Sequence, residues 1–214
     1  MPTLLYIADP MCSWCYAFGP ELATLLDGLP GLQVELVLGG LRAYNTEVMS
    51  DTAKDDLMGH WKKVHESTGL PLIDSALEQP GFIYNTEPAC RAVVAARTLL
   101  PAAALPTFHA IQQAFYAEGR DVTQGDALAR IGSDVLNAMG SPTSVEAFRT
   151  HWSSEDTVLA THNDFVQCKR WEITGFPALV LERNGQLDMV TTGYTRVETL
   201  IKQMQALVDH GLPS

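Results

Sequence analysis

Basic residues are scarce. Fourteen Lys and Arg stand against 25 Asp and Glu, a formal net charge of −11. A surface of that sign repels nucleic acid and anionic lipid, so neither is expected as a partner. The first use of such a charge is solubility. No apolar run approaches the roughly 20 residues needed to cross a bilayer. The opening Met1-Pro2-Thr3-Leu4 carries no basic region, no long apolar stretch and no small-residue cleavage site, so no secretory signal is read there. These absences point to the cytoplasm. Phosphate-binding Walker loops and dinucleotide fingerprints are missing. No His pair has H-x-x-x-H spacing, and only four cysteines are present. The zinc knuckle therefore lacks its second pair, because Cys90 and Cys168 each stand alone. No metal or organic cofactor is implied.

What is present is a chain of 214 residues that is 46% hydrophobic. That is enough for one large core, or for one domain carrying a substantial insertion. The most informative stretch is Asp9-Pro10-Met11-Cys12-Ser13-Trp14-Cys15-Tyr16. It follows an apolar strand-like run, Leu4 to Ala8, and leads into a helical pattern around Glu21 to Leu26. Residues i and i+3 share a helix face, so the two sulfurs can approach bonding distance. Unpaired N–H groups at a helix start favour a thiolate over a thiol at the first cysteine. Cys12 is accordingly the expected nucleophile and Cys15 the resolving thiol. A static disulfide closing so short a loop would remove little unfolded-state entropy. In a cytoplasmic setting a redox pair is favoured over a structural one.

Gln33 to Leu38 reads as a second strand, ending at Gly39-Gly40. Helical patterns then follow in series: from a Ser50 cap to Gly69, from Thr86 to Pro101, from about Thr107 to Gly119, and from Thr123 to Gly140. Thr143 and Glu146 match a capping box opening a short fifth helix, and Ser154 caps a sixth running to about Trp171. Ala178 to Glu182 and Leu187 to Thr191 flank the hairpin turn Asn184-Gly185. A last amphipathic helix carries Leu200, Met204 and Leu207. The order is βαβ, helices, then ββα. It predicts an α/β chain with a thioredoxin-like fold opened after its second strand: residues 1–44 and 172–214 form the thioredoxin-like domain, and 45–171 an all-helical insertion. Neither half covers both faces of its sheet alone, so the two are expected to close into one sheet.

Thr174-Gly175-Phe176-Pro177 lies directly before the strand at 178. Together with Cys12-Ser13-Trp14-Cys15 and the helical insertion, it resembles the DsbA-like thiol–disulfide oxidoreductase family of the thioredoxin superfamily. The resemblance implies a cis-proline at Pro177 beside the cysteine pair. It also implies that the backbone of Phe176 receives substrate as an added strand. It implies catalysis by Cys12 and Cys15 and substrate contacts at Phe176 and Pro177, and Trp14, between the cysteines, is a further candidate for substrate contact. The partners implied are protein or small-molecule disulfides and thiols, with glutathione admitted as a thiol co-substrate. The intervening Ser13-Trp14 differs from the Pro-His pair of the strongly oxidising periplasmic members. The activity expected is therefore of the protein disulfide reductase or isomerase type.

The alternative is a glutathione-dependent isomerase or transferase of the 2-hydroxychromene-2-carboxylate isomerase or kappa type. That class has Ser where Cys12 stands, and the C-x-x-C spacing counts against it. A thiol-based holdase with a vestigial motif ranks third. Asp9 is read either as a proton acceptor for the resolving thiol or as a cap of the turn after the strand. Trp14 is read either as exposed toward partners or as packed over the helix start. Tyr16 and Phe18 read as core or rim aromatics, and Cys90 and Cys168 as small buried apolar groups. Gly39-Gly40 is either a plain strand end or a place where a loop approaches the pair.

Overall fold

The computed structural model describes residues 2–210, with side chains described to residue 206. Four strands form one sheet in the order β2-β1-β3-β4. Strand β1 (Thr3–Ala8) runs parallel to β2 (Gln33–Leu38), and helix α1 (Ser13–Asp27) connects them. Strand β3 (Ala178–Arg183) returns antiparallel to β1, and β4 (Gln186–Thr192) pairs with β3 across the Asn184-Gly185 turn. Both turn residues have positive φ, as a two-residue hairpin requires. Between β2 and β3 lie α2 (Asp51–Thr68), α3 (Glu87–Leu99), α4 (Ala104–Gln112), α5 (Gly125–Ala138), α6 (Val145–Trp152) and α7 (Glu155–Arg170). Helix α8 (Val197–His210) follows β4. This is the thioredoxin-like α/β fold with helices between its βαβ and ββα halves, and the strands of the two halves do join in one sheet.

The reason is legible in β1, which is buried along Leu4 to Ala8. Leu4, Tyr6 and Ala8 face a core shared with α1, α3, α4 and α8, while Leu5 and Ile7 face a smaller cluster with Cys168 of α7. A strand with two buried faces needs cover on both sides, and the helices supply it.

Sequence-level helix starts hold where a hydroxyl caps. Ser50 Oγ accepts from Ala53 N–H and Ser154 Oγ from Thr157 N–H. Elsewhere the boundaries move. The fifth helix is capped by Ser144, whose Oγ accepts from Ala147 N–H at 3.1 Å, not by Thr143. Thr143 is instead held by Asn137, whose Oδ1 accepts its N–H and whose Nδ2 donates to its carbonyl. The third begins at Ala104 rather than Thr107, because a 3-10 turn at Pro101–Ala103 feeds it. It ends in a π-helical turn over Gln113–Ala117. Leu200 and Met204 of α8 are buried as expected. The side chain of Leu207 lies outside the described residues.

Strand β2 is a sheet edge, and side chains take up backbone groups at its C-terminal half. Arg97 Nη1 of α3 donates to the Leu36 carbonyl at 2.7 Å, and Asp164 Oδ2 of α7 accepts from the Leu38 N–H at 3.0 Å. The two side chains pair with each other at 2.9 Å. Covering an edge in this way blocks edge-to-edge association and ties two helices to the sheet. Arg97→Ala is expected to lower the unfolding free energy by about 2–3 kcal/mol. The loss for Arg97→Ala with Asp164→Ala should be smaller than the sum of the single losses. Urea unfolding of the three variants checks both statements.

Candidate active site

The site forms where the end of β1 meets the start of β3. Ile7 pairs with Ala178, so the segment leaving β1 runs beside Phe176 and Pro177 entering β3. Asp9 makes the turn. Its Oδ1 accepts from the Met11 N–H at 2.8 Å and its carbonyl from the Cys12 N–H at 3.0 Å. Cys12 is then the N-cap residue of α1. Its Sγ donates to the Phe176 carbonyl at 3.8 Å, and the Phe176–Pro177 peptide bond is cis. Cysteines 12 and 15, Phe176 and Pro177 thus come together, although 164 residues separate Cys12 from Phe176.

Both cysteines are free thiols here, Cys12 7% exposed and Cys15 fully buried. Burial pushes the Cys15 thiol well above its ordinary pKa, and hydrogen bonding and charge interaction with Cys12 add to the rise. The buried Tyr6 hydroxyl lies 3.5 Å from the Cys15 carbonyl, and burial raises its pKa too. Cys12 is the more accessible of the two sulfurs, and Cys15 lies fully buried behind it.

Asp9 is itself fully buried. Burial raises its carboxyl above the usual range, opposed by hydrogen bonds from Thr86, Met11, Leu41 and Cys90. Its Oδ2 accepts from the Leu41 N–H at 2.7 Å and from Cys90 Sγ at 3.5 Å. The turn-capping reading of Asp9 therefore holds, and the residue also ties the turn to a second loop and to α3. Cys90 is buried but not merely apolar, since it donates to this carboxylate. Cys168 Sγ likewise donates to the Leu38 carbonyl at 3.4 Å.

Gly39 is required by the approach of the cis loop. A Cβ there would sit 2.1 Å from the Phe176 ring. Trp14 is half-buried rather than exposed. Its ring packs on Tyr194 at 5.5 Å between centroids, and Tyr194 Oη donates to Glu21 at 2.9 Å. Tyr16 and Phe18 are buried, and Tyr16 stacks on Tyr116 at 4.8 Å.

A cleft of about 290 Å³ opens over Cys12. Trp14 and Phe176 line it, as do Leu41, Arg42, Leu57, His60 and Tyr84. Sequence reasoning missed these last five. For Leu41 and Arg42 a signal existed, since they follow the C-terminal end of a parallel strand, where open α/β sheets place ligands. Tyr84 sits in an irregular stretch with no pattern to mark it, yet its hydroxyl donates to the Met11 carbonyl. Among the described residues no group of three or more His, Cys, Asp or Glu is placed to hold a metal ion. No helix among them is long and apolar enough to cross a membrane.

A candidate protein disulfide isomerase from Nitrosomonas europaea superposes on the chain with a TM-score of 0.86 at 34% identity, covering 99% of each chain. The cytosolic disulfide reductase DsbM from Pseudomonas aeruginosa does so with a TM-score of 0.77 at 26% identity, over 98% of this chain and 100% of that one. A further DsbM structure, with GSH, gives 0.75 at the same identity and coverage. A 2-hydroxychromene-2-carboxylate isomerase shares the fold, with a TM-score of 0.67 at 16% identity over 99% and 100% of the two chains. No family model and no curated protein sequence matches the chain.

Two outcomes test this geometry. A carboxyl whose pKa is raised by folding favours the fold at low pH, and that contribution is lost as pH rises through the raised value. The stability of the wild type relative to Asp9→Asn is therefore expected to fall between about pH 4 and pH 7. Urea titrations at both pH values check it, and a rise would mean that the hydrogen bonds outweigh burial. Gly39→Ala should displace the Phe176 ring and slow the reaction of Cys12 with disulfides by roughly 10- to 100-fold. Stopped-flow oxidation of the reduced protein measures this.

Proposed function

The chain belongs to the DsbA-like family of thiol–disulfide oxidoreductases in the thioredoxin superfamily, and we propose that Cys12 and Cys15 are the redox pair that carries its activity. The observation that supports this most directly is the Cys12 thiol at the start of α1, facing the Phe176 carbonyl, with Cys15 buried one turn behind.

The reaction follows from the positions. The Cys12 thiolate attacks one sulfur of a substrate disulfide. The substrate S–S bond breaks, its other sulfur leaves as a thiolate and takes a proton, and a mixed disulfide remains on Cys12. Cys15 then loses its proton and attacks Cys12 Sγ. The second substrate sulfur leaves, and the Cys12–Cys15 disulfide holds the two oxidising equivalents. Run backwards, the oxidised pair accepts two electrons from a substrate dithiol. Phe176 and Pro177 present the backbone on which an extended substrate pairs, with the Phe176 carbonyl as acceptor. Trp14, braced by Tyr194, forms one wall of the cleft.

The net direction we propose is reduction or isomerisation, on protein or small-molecule disulfides in the cytoplasm. The similarity to a cytosolic reductase supports this. Glutathione is proposed as a thiol co-substrate, supported by the DsbM structure with GSH. The likeness to 2-hydroxychromene-2-carboxylate isomerase extends to the fold alone.

Cys12→Ser should abolish disulfide reduction, assayed with insulin and with a small disulfide. Cys15→Ser should retain the first step and accumulate mixed disulfides detectable by mass spectrometry. Full activity in Cys12→Ser would overturn the mechanism.

A further inference from the structure

We propose that Arg42 sets the substrate preference of this site by receiving the carboxylate of a small acidic disulfide, of the kind glutathione disulfide represents, while its sulfur is at Cys12. The inference rests on Cys12 being the attacking thiol.

The first ground is charge. Asp and Glu outnumber Lys and Arg by 25 to 14 over the chain, yet no Asp or Glu lines the cleft over Cys12. The lining side chains able to carry charge of either sign, apart from the thiol and the phenol, are Arg42 and His60. A cleft positive against a negative surround draws anions toward its centre.

The second ground is the unfilled valence of Arg42. Arg91, Arg97, Arg120, Arg149 and Arg183 each have a carboxylate within ion-pair distance. Among the described residues Arg42, like Arg130, Arg170 and Arg196, has none, and of these four it alone lines the cleft. Its guanidinium lies over the Tyr84 ring, 5.4 Å from the centroid. That contact occupies the face of the group and leaves its edge, where the N–H donors lie, free.

The third ground is position. The Arg42 N–H donates to Thr86 Oγ1 at 3.1 Å, and its carbonyl accepts from the Asn45 N–H at 3.2 Å. Leu41 beside it is bound to Asp9, and Tyr84 beneath it to the Met11 carbonyl. The loop and the ring that carry the guanidinium are thus both fastened to the turn bearing Cys12. A cation held there meets a carboxylate a few bonds from the reacting sulfur. A neutral or cationic disulfide of the same size gains nothing from it. Arginine suits the task because its planar fork matches a carboxylate with two parallel hydrogen bonds.

The test compares glutathione disulfide, whose halves carry free carboxylates, with its fully esterified form. The second-order rate of oxidation of the reduced full chain is measured under single-turnover conditions, so the only electron donor is the Cys12–Cys15 dithiol. The wild type is expected to prefer the free acid about tenfold or more, the worth of a charged hydrogen bond. That preference should shrink as salt is raised. Arg42→Gln should bring the ratio close to one, and Arg42→Lys should restore part of it. A wild-type ratio near one, whether or not the variants fold, overturns the proposal. So does an Arg42→Gln variant that slows both substrates alike, because that is the mark of a merely structural loop. If the wild type oxidises with neither substrate, and Cys15→Ser captures neither, the reading of Cys12 fails and this inference falls with it.

Discussion

One buried carboxylate holds the active end of this molecule together. Asp9 accepts from the Met11 N–H in its own turn, from the Leu41 N–H in the loop after β2, and from Cys90 on α3. Met11 and Cys90 are fully buried, so their donors would otherwise lack a partner away from water, at a cost of about 1–3 kcal/mol apiece. Satisfying them with a single side chain fixes three segments relative to one another. The first bears Cys12, the second Arg42, and the third is the helix whose Arg97 caps the β2 edge. The arrangement opposes the preference of the carboxylate for water, and burial raises its pKa accordingly.

The second constraint is register. Cys12 and Pro177 are neighbours because β1 and β3 are antiparallel with Ile7 opposite Ala178. A slip of one residue would send every side chain of β3 to the other face. Leu179 and Leu181 would leave the larger core, and Ala178 and Val180 the smaller one. The two cores therefore hold the cis loop in place over the thiols, and the site is as well specified as the packing of the sheet. Gly39 completes the fit from the β2 side by leaving room for the Phe176 ring.

What was legible in the sequence was whatever local chemistry determines. A pair of cysteines after an apolar strand, a Gly-Phe-Pro before another, and hydroxyl caps at Ser50 and Ser154 each carry their reason within a few residues. The order of elements then led to the fold. The Thr143 cap failed by one position because Asn137 competes for Thr143, and Asn137 belongs to the preceding helix. The π turn over Gln113–Ala117 leaves no periodic trace in so short a span. Arg42 and Tyr84 were missed because their place in the cleft depends on contacts distant in sequence, 44 residues for Arg42 with Thr86 and 73 for Tyr84 with Met11. Trp14 was half-read. Its position between the cysteines marked it as relevant, but the brace from Tyr194 comes from the far end of the chain.

The asymmetry between the two sulfurs follows from the same packing. Cys12 is the N-cap residue of α1 and lines the cleft. Cys15 is one turn further in, walled off from water, with Tyr6 beneath it. Burial is the largest cause that holds it as a thiol, interaction with Cys12 adds to it, and a charge on Asp9 opposes one on Cys15. In the mechanism we propose, a thiol so placed competes poorly with Cys12 for an incoming disulfide. It becomes the better nucleophile only when Cys12 is already bonded to substrate. The neighbouring sulfur then no longer bears a proton or a charge, and the repulsion that raised Cys15 is relieved. In that mechanism the order of the two steps follows from depth of burial and does not need a moving part.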